Sequence, residues 1–368
     1  MKNERISEFL ESRIAERDFP SAVYLVAERG EIVFTDALGL AVVEPEKIEA
    51  KLETIYDLAS LTKPLVTGLL MAKLLESGEI NLQDKIAKYF SELRREDKRE
   101  ITIENLLLHN SGFINWKPFY LMTNDKSRIP NVIASEPLAN PVASTVVYSD
   151  LNFILLGFLL EKIHEKPLDE IAQTEIFAPL SLQNTFFNPL QSLKKRIAAS
   201  EKGNEFEKNT CLELGYKIPD PQSQFRNRDI WGEVHDGNCW FMNGVSGHAG
   251  LFSTAEETFR IAQQFLATET VLLKPETCKL FRTNFTPELN EARSIAFQLA
   301  ATPDSTASDA LAKDSFGHLG FTGTSLWIEP ETAKIFILLT NRTHAHELPF
   351  VLLNSVRRRF HELAQESL

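Results

Sequence analysis

Two runs at opposite ends of the chain constrain its fold more than any other feature. "SAVYLVAERGEIVFTDALG" (21–39) is two β-rich stretches about Arg29-Gly30, and "SLWIEPETAKIFILLTN" (325–341) repeats the pattern about a turn at Glu329–Thr332. Each reads as a β-hairpin, because β-branched and aromatic residues flank a short turn signal. A helix pattern adjoins each hairpin. Ile6, Phe9, Leu10 and Ile14 recur at helical spacing over 3–17, and "LPFVLLNSVRRRFHELAQ" closes the chain. Helix–hairpin at the start and hairpin–helix at the end imply one antiparallel sheet assembled from both termini. Everything between is then an insertion.

The interior reads as mainly helical: "PLVTGLLMAKLLESG" ending on Gly78, "TIENLLLHNSG" ending on Gly112, and "LNFILLGFLLEKIHEK" running to Lys166. From 187 to 240 the chain turns polar and irregular, and a connector of that length either lines a pocket or is a surface loop. The expected division is a sheet domain from 1–57 and 246–368, and a helical domain from 58–245 with a pocket-lining insert around 187–240. The 368 residues, 43% hydrophobic and 24% charged, suffice for such a core.

Charge and cysteine usage narrow the partners. A net charge of −12 argues against nucleic acid or an anionic membrane surface. Cys211, Cys239 and Cys278 lack metal spacing, which suggests idle thiols in a reducing compartment. The first twelve residues have no apolar run of signal-peptide length, and Phe153–Leu160 is too short for a membrane span. The chain therefore reads as soluble and cytoplasmic, acting on a small molecule. His344-Ala345-His346 is the one paired-histidine run, and no metal is expected there. Oligomeric state is not legible.

Chemistry concentrates in three motifs. "YDLASLTKPLV" (56–66) sets Ser60 three residues before Lys63, and one helical turn brings Oγ and Nζ to one face. Pro64 is tolerated only in a first turn, so the helix starts near Ala59 or Ser60. Ser60 is then either a nucleophile facing free N–H groups or a plain N-cap. A residue before proline disfavours α geometry, so Lys63 sits in a distorted turn. Ser192–Lys195 has the same spacing but a solvated, lysine-rich setting, and reads as chance. In "VVYSDLNFILLG", Tyr148 and Asp150 stand at the mouth of an apolar helix, where Asp150 alone reads as an N-cap. In "FGHLGFTGTSLWIEP", His318-Leu319-Gly320 leads into a strand, with Gly320 and Gly323 permitting close backbone approach.

Together and in this order, the motifs resemble the Ser-x-x-Lys, Tyr/Ser-x-Asn and Lys-Thr-Gly set of the β-lactamase/D-Ala-D-Ala peptidase superfamily of serine hydrolases. The branch holding class C β-lactamases, D-aminopeptidases and β-lactamase-like esterases is the most similar. The likeness extends through "LLLHNSGF" and "SGHAGLFSTAEE". It implies an α+β fold: a five-stranded antiparallel sheet flanked by terminal helices, an inserted mainly helical domain, and a site in the cleft between them. It also implies that Ser60 is acylated, that Lys63 and Tyr148 handle the proton, and that the N–H groups of Ser60 and Phe321 form the oxyanion hole. Whether Lys63 or Tyr148 is the base stays open. No cofactor is implied.

Two departures bear on the substrate. Asp150 stands where class C enzymes have asparagine, and within about 4–6 Å it would keep Lys63 charged. His318 and Leu319 stand for the lysine and threonine of Lys-Thr-Gly, so a permanent cation becomes a group expected to titrate near neutrality. With Asp150, His318 and Gly320 as its binding residues, the site reads as suited to a small ester or amide without a free carboxylate. A β-lactamase, D,D-carboxypeptidase or D-aminopeptidase is the alternative within the same chemistry. A non-catalytic binding relative is the alternative from another class, and retention of Ser60, Lys63 and Tyr148 argues against it. His235, Asp236 and His248 either reach the cleft or are structural. His109 and Ser111 read as structural, and Trp231, Trp240 and Phe241 are either an acyl-pocket wall or ordinary core.

Overall fold

The computed structural model describes residues 1–219 and 225–368. Its main sheet is antiparallel, in the order β3-β2-β1-β10-β9-β8-β7-β6. Five strands of four residues or more form its centre: β2 (Glu31–Val42), β1 (Ser21–Glu28), β10 (Lys334–Thr340), β9 (Ser325–Glu329) and β8 (Phe316–Leu319). Both terminal hairpins are present, and β1 pairs β10 from Ala22↔Thr340 to Glu28↔Lys334, so the two chain ends meet in mid-sheet. The expected count of five is nonetheless corrected to eight. The additions are β3 (Ile48–Glu49) at one edge and β7 (Phe297–Leu299) and β6 (Arg293–Ser294) at the other. Pairs of two or three residues are too short to leave an alternating pattern. A separate two-stranded sheet joins β4 (Tyr56–Asp57) to β5 (Phe252–Ser253).

Alternation along the central strands explains why they read as continuous apolar runs. Ala22, Tyr24 and Val26 face one cluster, with Ile6 and Leu10 of helix Glu4–Ala15 and Val356 and Phe360 of helix Asn354–Ser367. Val23, Leu25 and Ala27 face the other, with Leu65, Leu69 and the interior helices. A sheet covered on both faces needs apolar residues at both parities. Each of the valine, leucine, isoleucine and phenylalanine side chains among these stabilises the fold by about 1.5–3 kcal/mol on full burial.

The interior helices set the site. Residues 59–77 form one continuous helical stretch of changing pitch: a 3-10 turn at Ala59–Leu61, a π segment at Lys63–Gly68, then α-helix Leu69–Ser77. Pro64 supplies no N–H, and the chain widens around it. Helix Asp150–His164 buries Leu151 through Gly157 on all sides, as a helix inside a core must. Ser149, not Asp150, is its N-cap; Asp150 is the first helical residue, so the capping reading of Asp150 is corrected. Among the described residues no helix is long and apolar enough to cross a membrane.

One close crossing locks these pieces together. A Cβ on Gly247 would lie 2.2 Å from the Phe153 carbonyl oxygen and 2.9 Å from Gly157 Cα, and the Gly247 carbonyl accepts the Thr67 hydroxyl at 2.7 Å. Gly247→Ala must therefore push segment 246–250 away from helix Asp150–His164 and disturb its hydrogen bond from Thr67. The expected cost is about 1–3 kcal/mol, seen as a lower urea midpoint at unchanged slope; an unchanged midpoint would contradict the crossing.

Candidate active site

Ser60 sits at the floor of a cleft of about 670 Å³, whose lining also includes Tyr148, Asp150, His318, Gly320 and Phe321. The turn carrying Ser60 is held from several directions. Ala59 adopts a left-handed φ of 48°, and its N–H donates to Asp57 Oδ1 at 2.8 Å. The other Asp57 oxygen accepts the His235 N–H at 2.7 Å, and burial pushes the Asp57 carboxyl up. Across the cleft, the Thr322 and Thr324 hydroxyls donate to the carbonyls of Asp57 and Leu58. Gly320 makes that contact possible, since a Cβ there would lie 2.6 Å from the Leu58 oxygen. Gly320 thus brings two parts of the chain's own backbone together.

The plain N-cap reading of Ser60 does not hold, because its hydroxyl accepts from Lys63 Nζ at 2.9 Å and Leu58 occupies the N-cap position. Lys63 is fully buried; its Nζ donates to Ser60 Oγ and to the His248 carbonyl at 3.1 Å, and it forms an ion pair with Asp150 Oδ1 at 2.7 Å. Burial alone draws the ammonium's pKa down. The Asp150 carboxylate, together with the Tyr148 phenol, outweighs burial and places it above the usual lysine value. The resting site therefore holds a charged lysine.

The Tyr148 hydroxyl is buried without a hydrogen-bond partner among the described residues, and Lys63 Nζ lies 4.9 Å from its ring centre. Burial raises the phenol, with the charge of Lys63 opposing it. The His109 ring packs against that of Tyr148, tilted by 38° with 4.6 Å between centres, while its Nδ1 accepts the Ser149 N–H at 3.0 Å. Ser111 and Asn152 complete this support through a 2.6 Å hydrogen bond. His109 is thus a positioning group for Tyr148 as well as a helix terminator.

His318 overturns one expectation. It is 5% exposed, and burial, with the positive charges of Lys63 and Arg293, holds its pKa well below the ordinary value. Both influences favour the neutral imidazole over the imidazolium, against the expectation of a group titrating near neutrality. Its Nδ1 hydrogen donates to the Leu319 carbonyl at 2.9 Å.

His235 and Asp236 line the cleft, and His248 stands behind, with its Nε2 on Asp236 Oδ1 at 3.0 Å. Asp150, Asp236 and His248 present ligand atoms within 4.8 Å of one another, but the Lys63 ammonium is already bonded there, as a cation in place of a metal. At His344 both ring nitrogens are committed, to the Ser200 carbonyl and the Val43 N–H. Ser192 and Lys195 lie exposed on a 3-10 turn, far from this chemistry.

The cleft's aromatic walls are also corrected. Trp116, Phe206 and Phe321 line it; Trp231 lies in a separate cluster, and Trp240 and Phe241 border a different pocket. Phe206 and Glu207 come from helix Glu205–Glu213 in the polar insert. Burial, with the nearby charge of Asp236, raises the Glu207 carboxyl to about 7 while it accepts from the Gly237 N–H and the Tyr120 hydroxyl. Sequence reading missed Glu207, Arg293, Arg342 and Arg357. Arg357 had a signal, an arginine on the face of the last helix that also buries Val356 and Phe360. Its guanidinium donates to the Gly320 and Thr324 carbonyls, and that of Arg342 to the Phe321 and Val351 carbonyls. Among the described residues neither has a carboxylate partner.

Comparison with known proteins follows the same lines. The family model described as Beta-lactamase matches residues 6–353. The chain is 30% identical over 354 residues to a "Putative D-alanyl-D-alanine carboxypeptidase" of Escherichia coli (strain K12), covering 89% of this chain and 79% of that one. Among solved structures, "EstCE1, a hydrolase with promiscuous acyltransferase activity" superposes with a TM-score of 0.73 at 19% identity, covering 98% of both chains. A class C β-lactamase superposes with a TM-score of 0.75 at 14% identity, covering 99% of this chain and 97% of the other. The structural likenesses show a shared β-lactamase/transpeptidase-like α+β fold, and with the family match over nearly the whole length they place the chain in the β-lactamase family of serine hydrolases.

Proposed function

We propose that this chain hydrolyses a small ester or amide through an acyl-enzyme on Ser60. The observation that carries the reading is the 2.9 Å contact between Ser60 Oγ and Lys63 Nζ at the floor of the cleft. In the first step the Ser60 O–H bond breaks as Oγ bonds the scissile carbonyl carbon. Lys63 and Tyr148 are the groups placed to take that proton and pass it to the leaving atom. The N–H groups of Ser60, in the first turn of its helix where intrahelical acceptors are absent, and of Phe321 would stabilise the oxyanion. The bond from the acyl carbon to the leaving atom breaks as that atom takes the proton. Water's oxygen then bonds the acyl carbon, the ester C–Oγ bond breaks, a water proton returns to Oγ, and the acid is released.

A lysine accepts a proton only as a free amine, and here Asp150 holds it charged. Asp150 is also the nearest carboxylate to receive that proton, so the Lys63–Asp150 pair sets the pH at which the base appears.

The two arginines favour a second reading within this chemistry, a D,D-peptidase-like amide substrate with a carboxylate. Arg342 and Arg357 line the cleft beside Gly320 and Phe321, bonded to backbone carbonyls and without an acidic partner among the described residues. They supply the positive charge that His318 does not. Relatives named as putative D-alanyl-D-alanine carboxypeptidases lend this reading support.

Intact mass after a fluorophosphonate and, separately, after a penicillin is the first check. An adduct mapping to Ser60 and lost in Ser60→Ala is expected; labelling that survives the substitution would exclude the mechanism. Faster turnover of a peptide ending in D-Ala-D-Ala than of a neutral acyl ester would select the second reading.

The second check is a pH profile. Asp150 raises the Lys63 pKa, so Asp150→Asn lowers it and a larger fraction of free amine is present at a given pH. The acidic limb of kcat/KM is expected to move to lower pH, by about one unit or more for loss of so close an opposite charge. An unmoved limb would remove Lys63 as the base.

A further inference from the structure

The cleft contains one buried acceptor that the proposed proton transfers do not use. His318 Nε2 is enclosed and has no hydrogen-bond partner among the described residues, and its ring centre lies 5.6 Å from that of Tyr148. Its tautomer is settled by its neighbour. The Leu319 carbonyl can only accept, so Nδ1 carries the hydrogen and Nε2 presents a bare lone pair. The ring borders the cleft together with Tyr148, Arg293 and Ser60.

A buried polar atom left without a partner is costly, and such atoms in a binding site mark where a ligand supplies the missing bond. A bare imidazole nitrogen cannot bind a carboxylate or a carbonyl oxygen. It can bind only a donor. The positive charges of Lys63 and Arg293 oppose protonation of the ring, so it is not converted into the cation that would reverse this preference. Asp150, the other group in the cleft that faces Tyr148 and Lys63 from the helix start, is likewise an acceptor.

We propose that His318 Nε2 is a specificity-determining acceptor that selects substrates bearing an N–H or O–H beside the scissile carbonyl, with the anionic group, where there is one, directed away from it. This rests on the Ser60 acyl-enzyme reading and names the substrate feature that site selects: an amide N–H or hydroxyl within a few bonds of the acyl carbon. Sites built around such a bond discriminate strongly against the analogue lacking the hydrogen, because the acceptor is then buried unpaired.

Two matched ligand pairs test it. On the acyl side, the 2-acetamidopropanoyl p-nitrophenyl ester is compared with its 2-acetoxypropanoyl analogue, which lacks the N–H. On the leaving side, the acetyl ester of glycolamide is compared with that of N,N-dimethylglycolamide. In at least one pair the N–H compound is expected to have a kcat/KM higher by roughly tenfold or more, the difference lying mainly in KM. His318→Leu should bring that ratio close to one, and His318→Gln, whose amide oxygen is again an acceptor, should restore part of it. The same ratio is read as dissociation constants by calorimetry on Ser60→Ala protein. Loss of turnover therefore tests the acyl-enzyme, and loss of the ratio tests His318. Equal values within both pairs for the wild-type residue, or a ratio that persists in His318→Leu, would overturn the proposal.

Discussion

A lysine ammonium with no exposure to water is the constraint from which the rest of the site follows. An unpaired charge at that depth would cost several kcal/mol. Lys63 avoids this by joining its own turn, through Ser60, to two distant segments: the helix start at Asp150 and the 246–250 segment through the His248 carbonyl. Satisfying one charge therefore fixes three pieces of chain relative to one another. The Gly157–Gly247 approach and the Thr67–Gly247 hydrogen bond brace the same junction a turn further on. Structural necessity and reaction geometry coincide, since the groups that neutralise Lys63 are those that surround the Ser60 hydroxyl.

The local backbone accommodates this at visible strain. Ala59 occupies a left-handed conformation, and the helix behind Ser60 passes through 3-10 and π geometry before becoming α. Such departures persist only where surrounding contacts determine them. Here the contacts are the Asp57 bridge to Ala59 and His235 and the threonine hydroxyls reaching over from the end of β8.

The lining then divides by hydrogen-bonding character. Asp150, Asp236 and the bare face of His318 only accept, while Arg342 and Arg357 only donate. On the acyl-enzyme reading, a substrate spanning both would need donors toward the first set and acceptors toward the second. The polar insert contributes to this selection through Phe206, Glu207, His235 and Asp236.

What could be read from residue order alone is what is local. The two terminal hairpins, the helix beginning beside Ser60, the apolar helix behind Tyr148 and the three short motifs that meet in the cleft are each local patterns, where side-chain period and turn chemistry act directly. The edge strands were too short to leave a pattern, and Arg342 and Arg357 reach back across an intervening hairpin to carbonyls 21 to 37 residues earlier. Above all, the charge states of Lys63 and His318 were decided by folding. Asp150 is 87 positions from Lys63 in sequence and 2.7 Å away in space, and the cations that keep His318 neutral come from other elements. A pKa depends on burial and on nearby charge, and neither is a property of a residue's position in the chain.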